Sequence, residues 1–333
     1  MLEKGFSTVI RYGYSVMKKK FAKNIPYLLL PVFGVLLLAE ALWLSSFFGA
    51  APQKDAAFRG YQPVREQFFL ERGDGTYTLA EAVYPKDHPG SMPLVAMGHG
   101  FTGTRNSGGA EELAERLAGC GIATVRMDFD PYTKPAKDSA RTHDYTLSSM
   151  QADLLRGIGY MRGHYDIDTT RIGLYARSMG GRVAMTMANE SSGGYDYQAL
   201  ALVAPAGNRT AMIDYMGGQA AWDKMKETAV RDGFVLRQGL KLTPEWFAEF
   251  EAYDPCRHGD RFGEKPVLVI RNTLDYVVTP TTSLECAKAY KNSRVITVTT
   301  DNYHGYEMSY ADSALKEQLM SAITDHFVSA FAE

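Results

Sequence analysis

The chain has 333 residues, of which 45% are hydrophobic and 22% are charged, a balance typical of a globular protein with a sizeable core. The formal net charge is −2, and because basic side chains are concentrated in residues 1–24, the rest of the chain is mildly acidic. Nucleic-acid binding needs a basic surface, so the composition excludes that class of function.

The N-terminal 48 residues have the pattern of a membrane anchor. Residues 1–24 carry six basic side chains and one acidic one, and the only charged side chain in the apolar run 25–48 is Glu40. Such a run can cross a hydrocarbon core of about 30 Å, and the lysines before it place the N-terminus in the cytoplasm. We predict an uncleaved transmembrane anchor with the rest of the chain extracytoplasmic. The alternative is a cleaved signal peptide and a secreted protein, although the apolar region of a signal peptide is normally about 7–15 residues long.

A linker, 49–62, leads into a main domain that we place at 63–333. Strand-like runs at 64–70 and 77–84 flank the turn signal RGDG. From residue 92 onward, strand-like runs alternate with helical segments, which predicts a mostly parallel sheet with helices on both faces. The predicted strands are PLVAMGHG, ATVRMDFD, DIDTTRIGLY, ALALVAP, PVLVIRN and RVITVTT. The predicted helices are EELAERLAGCG, 147–162, 181–189, SLECAKAYK and a last helix with Leu315, Leu319, Ile323 and Phe327 on one face.

The alternation is interrupted at about residues 208–265. This insertion contains two amphipathic segments with a helical pattern, WDKMKETAV and LTPEWFAEFEAY. Open α/β sheets bind ligands at the carboxyl ends of their strands. The late position of the insertion therefore predicts a helical lid over those ends.

Ser178 lies in the stretch IGLYARSMGGRVAM, between a strand-like run and a helix-like run. A tight strand–turn–helix elbow would expose its hydroxyl as a nucleophile, and Gly180 and Gly181 would let the two backbones approach closely. Ala176 stands where the G-x-S-x-G pattern has its first glycine. An ordinary serine at a strand-to-helix boundary is the competing interpretation.

A serine nucleophile needs a base, and the chain has seven histidines. If the chain order is serine, acid, histidine, the base follows Ser178 and is His258, His304 or His326. His304 lies in the loop after the strand RVITVTT, where a histidine can reach the end of the sheet. We therefore predict that His304 is the base; a surface loop residue is the alternative interpretation.

The acid that orients this base should follow the preceding strand. Asp275 comes five residues after PVLVI and is our candidate, although Asp often simply forms a turn or caps a helix. Asp254 and Asp301 are its rivals. For the oxyanion, we predict backbone N–H donors from Phe101, in the loop GHGFTG, and from Met179.

These motifs, in this order, resemble the α/β-hydrolase superfamily, and most closely bacterial esterases of the cinnamoyl/feruloyl-esterase and monoacylglycerol-lipase-like group. The resemblance covers about residues 65–332. It implies that Ser178 is the nucleophile, His304 the general base and Asp275 its orienting acid, with an oxyanion hole at Phe101 and Met179. The matching stretches are HGFTG at 99–103, VRMDFD at 125–130, DIDTTRIGLYARSMGG at 166–181, LVAPAG at 202–207, LDYVV at 274–278 and YHGY at 303–306.

Substrate-binding residues are harder to assign from the sequence. Arg177 stands where such esterases often have His; it either brings positive charge to the site or packs beside the elbow. The lid is rich in Met and aromatic residues, and Trp222 and Trp246 are our candidates for contacts with an acyl chain or an aromatic acid. Packing in the core of the lid is the alternative role for both.

No metal, cofactor or disulfide is expected. Asp166 and Asp168 form a charged turn before a strand, without the His or Glu cluster that a metal site would need. The three cysteines suggest no disulfide framework, and each is expected to be a small packed residue. They are Cys120, Cys256 and Cys286.

The sequence favours a membrane-anchored serine esterase that forms an acyl-enzyme on a small-molecule ester. Two alternatives remain open. One is a serine peptidase related to the prolyl oligopeptidases, and the other is an inactive hydrolase fold that serves as a binding module. No obligate protein partner is implied.

Overall fold

The structure is a computed structural model that describes residues 59–129, 132–134, 138–139, 145–301, 304 and 313–332. The predicted anchor at 25–48, the basic segment before it and most of the linker lie outside these residues. Among the residues that the structure describes, no helix combines the length and the apolar character that crossing a membrane requires.

One ten-stranded sheet dominates the described part of the chain. Its strands are β1 Pro63–Glu71, β2 Tyr77–Pro85, β3 Met92–Gly98, β4 Ala123–Met127, β5 Tyr132–Lys134, β6 Asp138–Ser139, β7 Ile167–Arg177, β8 Ala199–Val203, β11 Val267–Asn272 and β12 Ser293–Val298. They lie in the order β12-β11-β8-β7-β3-β4-β2-β5-β6, with β1 paired to β2. The strands from β4 through β3, β7, β8 and β11 to β12 are parallel, whereas β1 and β2 run antiparallel. A separate hairpin contains β9 Val235–Arg237 and β10 Leu240–Leu242.

Eight α-helices occur among the described residues, and five of them cover the two faces of the sheet. Strands β3, β4 and β8 are buried throughout, as expected for parallel strands between two helical layers. This confirms the predicted mostly parallel architecture. The helices are α1 Ala110–Gly119, α2 Leu147–His164, α3 Ser178–Glu190, α4 Arg209–Tyr215, α5 Gln219–Asp232, α6 Pro244–Ala252, α7 Pro280–Lys288 and α8 Ser313–Ala330.

Two apolar clusters form the core, one on each face of the sheet. Helices α2, α3 and α7 contribute to the cluster on one face, and α1 and α8 contribute to the cluster on the other. The stripe predicted for the last helix is present, because Leu319, Ile323 and Phe327 are buried and Leu315 packs against them. Together the two layers hold the parallel strands so that their carboxyl ends share one edge.

Helices α4, α5 and α6 and the β9–β10 hairpin make up the segment predicted as the lid. Helices α5 and α6 agree with the two predicted helical segments, but α4 and the hairpin were not foreseen. Its turn has Gln238 at φ 49° and Gly239 at φ 83°, the pair of positive φ angles that a two-residue hairpin turn requires. Asn-Gly and Asp-Gly are the usual signals for this turn, whereas a Gln at the first position gives no such signal.

Arg182 of α3 joins the lid to the sheet layer. Its guanidinium donates to the backbone oxygens of Gly207, at 2.8 Å, of Phe250, at 2.8 Å, and of Tyr253. It also lies 3.9 Å from the centre of the Phe250 ring. Burial lowers the pKa of Arg182 to about 10, so the side chain stays charged at neutral pH. One cation therefore binds the beginning and the end of the lid to the helix that starts at Ser178.

Cys256 and Cys286 form a disulfide, so the expectation that both were separate packed thiols was wrong. Two cysteines separated by 30 residues give no sequence signal for pairing. The fold brings them together because the 3₁₀ turn at the end of the lid packs on α7. Closing a loop of this length contributes about 3–4 kcal/mol in the chain-entropy account.

Candidate active site

Ser178 occupies a sharp turn between β7 and α3. Strand β7 ends at Arg177, and α3 begins at Ser178. The φ of Ser178 is 50°, in the left-handed region that non-glycine residues rarely adopt. Strained backbone of this kind persists where the surroundings impose it, and it is concentrated at functional sites. The geometry is the elbow predicted from the sequence.

Close backbone approach explains the glycines around this turn. A Cβ on Gly180 would overlap the backbone oxygen of His99, and one on Gly100 would lie 3.0 Å from the Cβ of Ser178. The methyl group of Ala176 is not crowded in this way. It is fully buried, and a Cβ on its neighbour Gly98 would still lie 3.5 Å from the Ala176 methyl group. The departure from the glycine pattern at Ala176 is therefore accommodated within the core.

His304 lies between Ser178 and Asp275. Its Nε2 is 2.7 Å from the Oγ of Ser178, and its Nδ1 is 3.1 Å from an Oδ of Asp275. A neutral imidazole protonated at Nδ1 satisfies both contacts, because Nδ1–H donates to the carboxylate and Nε2 accepts from the hydroxyl. The structure thus brings together the three side chains that the sequence selected.

Asp275 is held by its own loop. One carboxylate oxygen accepts hydrogen bonds from the backbone N–H of Val277, at 2.8 Å, and of Val278, at 2.9 Å. The other oxygen is left for His304. The side chain of Asp275 is 1% exposed, so water does not compete for these contacts. Its own loop therefore fixes the carboxylate independently of the contact with the imidazole.

Asn272 supports both loops and was missed by the sequence analysis. Its side-chain amide donates to the backbone oxygen of Thr300 at 2.9 Å, and its carbonyl accepts from the N–H groups of Leu274 and Thr300. It thereby joins the loop that carries Asp275 to the segment that leads to His304. A polar residue at the end of a buried strand is the signal that could have identified it.

The rival histidines and the acidic rival Asp254 lie elsewhere. His258 stacks on Tyr253 at a ring separation of 4.9 Å. His326 contacts the backbone oxygen of Leu200, near the start of β8 and so at the opposite edge of the sheet. Asp254 accepts from the N–H of Cys256 at the end of the lid.

A cavity of about 140 Å³ opens beside Ser178. Arg177, predicted to lie near the substrate, lines it, and so does Phe101. Apolar side chains from α4 and from the Asp275 loop form much of the wall. The described lining residues are Gly100, Phe101, Thr102, Gly103, Ser107, Arg177, Ser178, Ala206, Ala211, Met212, Tyr215, Val277, Val278 and His304.

Trp222 and Trp246 do not line this cavity, so their assignment as substrate contacts is corrected. Both side chains are fully buried. They pack on each other and on Phe247 and Phe250 at ring separations of 4.9–5.7 Å. The indole N–H of Trp222 donates to Glu251 at 2.9 Å. The two residues form the core of the lid, because joining its helices requires large apolar side chains that face inward.

His99 fixes the peptide group that carries the N–H of Phe101. The backbone oxygen of Gly100 accepts from Nδ1 of His99, at 2.7 Å, and from the N–H of Gly103, at 3.0 Å. Because a trans peptide is planar, holding this oxygen also sets the direction of the Phe101 N–H, which points the opposite way. The other predicted donor, the N–H of Met179, is in the first turn of α3, where backbone donors have no partner within the helix.

His99 is neutral in the folded protein. Its Nε2 accepts from the N–H of Phe129 at 2.9 Å, which requires that nitrogen to be unprotonated. Complete burial lowers the pKa of His99 to about 4, although the hydrogen bond to Gly100 opposes the shift. The Gly100 loop therefore keeps its geometry throughout the neutral range.

Comparison with known proteins agrees with this architecture. Residues 91–241 match the family described as serine aminopeptidase, and no curated protein sequence matches the chain. Among solved structures, Est1E from Butyrivibrio proteoclasticus has 21% identity and a TM-score of 0.60, covering 80% of this chain and 99% of that chain. Est1E with bound ferulic acid has 23% identity and a TM-score of 0.58, covering 80% of this chain and 100% of that one. A Paenibacillus acetyl xylan esterase has 18% identity and a TM-score of 0.57, covering 82% of this chain and 86% of that one.

The chain has the α/β-hydrolase fold, which confirms the fold that its motifs predicted. The identities to the solved structures are low, so the likeness defines the fold rather than the substrate.

We expect His99 to make the protein less stable in mild acid. Its pKa is about 4 in the folded state and about 6.5 in the unfolded chain, so below pH 6.5 the unfolded state takes up a proton first. Above pH 6.5 the titration of His99 leaves the free energy of unfolding unchanged. As the pH falls towards 4, that free energy decreases, by on the order of 2 kcal/mol at pH 4.5. Urea unfolding at pH 7 and pH 4.5 measures this loss, and His99→Gln should reduce it. The exposed His164, changed to Gln, is the matched control. An equal loss in the wild type and in His99→Gln would show that His99 does not titrate as described.

Proposed function

We propose that the protein is a serine hydrolase that cleaves carboxylic esters through an acyl-enzyme formed on Ser178. The observation that carries this proposal is the continuous chain of contacts from the Ser178 hydroxyl through the His304 imidazole to the Asp275 carboxylate. A serine hydroxyl is a poor nucleophile without a base in contact with it and a third group to orient that base. Ser178 and His304 line one cavity, and Asp275 lies behind His304.

In the proposed mechanism His304 transfers protons in both halves of the reaction. Its Nε2 takes the hydroxyl proton as Ser178 attacks the ester carbonyl carbon, and Asp275 stabilises the resulting imidazolium. Backbone N–H groups of Phe101 and Met179 stabilise the oxyanion. The imidazolium then protonates the leaving alcohol. A water molecule, deprotonated by His304, hydrolyses the acyl-enzyme and regenerates the free hydroxyl.

The character of the cavity supports an ester with a compact acyl group or an aromatic acid. Met212 and Tyr215 of α4 and Val277 and Val278 of the Asp275 loop provide apolar walls. The similar solved structures include an acetyl xylan esterase and an esterase with bound ferulic acid. An acyl or cinnamoyl-type ester fits both observations.

A peptidase is the second candidate, because the family that residues 91–241 match is described as a serine aminopeptidase. The same three side chains would serve amide hydrolysis, and only the groups that bind the substrate would differ. An inactive binding module is a weaker alternative, since binding alone does not require a serine, histidine and aspartate in mutual contact.

A fluorophosphonate probe should label the full-length protein, and Ser178→Ala should abolish both labelling and ester hydrolysis. Thr186→Ala, on the same helix α3 but outside the cavity lining, is a control that should label normally. Equal labelling of the wild type and Ser178→Ala would refute the nucleophile assignment. Faster cleavage of peptidyl amides than of p-nitrophenyl, monoacylglycerol and feruloyl esters would replace the esterase proposal with the peptidase.

We propose that this domain works outside the cytoplasm, attached to a membrane by the segment 25–48 with the N-terminus inside. The Cys256–Cys286 disulfide supports this location, because disulfides persist in oxidising compartments and are rare in the cytosol. The basic residues before the apolar run support the orientation.

Thiol counting on protein from its native host tests the location. Under denaturing conditions before reduction, one of the three cysteines, Cys120, should react with a maleimide, and after reduction all three should react. The protein should also stay in the membrane fraction after an alkaline wash. Three reactive thiols before reduction would argue against an oxidising compartment, and release by the wash would argue against the anchor.

A further inference from the structure

Arg177 is the residue before the nucleophile, and its side chain leaves β7 on a defined face of the sheet. Alternation along the strand places Arg177 on the same face as Tyr175, which packs in the apolar cluster with α1, and on the opposite face from Ala176. Arg177 is only 4% exposed. The guanidinium is therefore directed beneath the turn that precedes α1 and not into solvent.

Gly108 in that turn makes room for the guanidinium. A Cβ on Gly108 would lie 2.6 Å from both Cδ and Cζ of Arg177 and would overlap Nη1. Gly108 also has φ 67°, which side chains rarely adopt. The space that Arg177 occupies thus exists only because residue 108 has no side chain.

On its other side the guanidinium contacts the segment that carries the base. Nη2 of Arg177 donates to the backbone oxygen of His304 at 3.5 Å. His304 has φ 68°, a left-handed conformation that is unfavourable for a residue with a Cβ and needs support from its surroundings. The side chain of Arg177 thus connects the turn at Gly108 to the backbone of His304.

We propose that Arg177 is a positioning residue for the general base. Seated against Gly108, it holds the backbone of His304 so that the imidazole reaches Ser178 and Asp275 together. This inference rests on the proposed function. A guanidinium suits the task because its donors are arranged in a rigid planar fork. The competing role for a cation that lines the cavity is to bind an anionic group of the substrate.

Steady-state kinetics of the full-length protein distinguish the two roles. Arg177→Met should lower kcat by about 10- to 100-fold, because a misplaced catalytic group costs up to this much, with little change in KM. The loss should be equal for a neutral ester and for an ester that bears a carboxylate. Unchanged kcat, with KM raised only for the carboxylate ester, would overturn the positioning role in favour of substrate binding. Unchanged kinetics for both esters would remove Arg177 from the mechanism.

Gly108→Ala tests the same contact from the other side. This substitution should also lower kcat. The kcat of the double variant should be no lower than that of the slower single variant, because both changes break one interaction. Losses that multiply would show that the two residues act independently and would contradict the proposal. If Gly108→Ala fails to fold in a thermal melt, Arg177→Met alone carries the test.

Two matched controls and one spectroscopic signal exclude a general structural effect. Arg171→Met removes another arginine of β7, one that pairs with Asp168, and should keep wild-type kinetics. Gly73→Ala places a Cβ at φ 89° where nothing lies within 4 Å and should also be active.

The low-field proton resonance of the His304–Asp275 hydrogen bond should broaden or vanish in Arg177→Met, and its persistence would refute the positioning role. Absence of labelling at Ser178 in the wild type would instead refute the proposed function itself.

Discussion

The hydrogen bond between Ser178 and His304 joins residues 126 positions apart in the chain, and the site depends on it. Both partners have unfavourable backbone conformations, because their φ angles are positive. The bond forms because β7, β8, β11 and β12 are parallel and in register, so the loops that follow them meet at one edge of the sheet. The two helical layers that bury these strands therefore also determine where the hydroxyl and the imidazole meet.

Around this bond the side chains are fixed by neighbours that do not react. Asn272 joins the two loops that carry Asp275 and His304, and neutral His99 holds the Gly100 peptide group. Arg182 attaches both ends of the lid to the helix that begins at Ser178. Each of these is a buried polar group that forms hydrogen bonds to backbone atoms, so losing one would leave desolvated partners unsatisfied. These contacts hold the backbone around the reacting side chains from several sides.

Much of this could be predicted because it depends on local pattern and chain order. The alternation of strands and helices predicted the parallel sheet, and the positions of Asp275 and His304 after consecutive strands identified them among their rivals. The roles of Trp222 and Trp246 were not predictable, because an aromatic residue on an amphipathic helix looks the same whether it faces a cavity or a core. The Cys256–Cys286 pair and the contact between Arg177 and Gly108 depend on tertiary distances that spacing does not encode. The β9–β10 turn was missed because Gln238 is an unusual residue at a positive φ.

Direct capture of an acyl group on Ser178 is the sharpest test of the proposed mechanism. The full-length protein would be mixed with a slowly hydrolysed ester, quenched in acid within the first turnover, digested and examined by mass spectrometry. We expect the peptide that contains Ser178 to carry the added mass of the acyl group. Turnover of the ester without this adduct, or the same adduct on another residue of the Ser178→Ala protein, would contradict it.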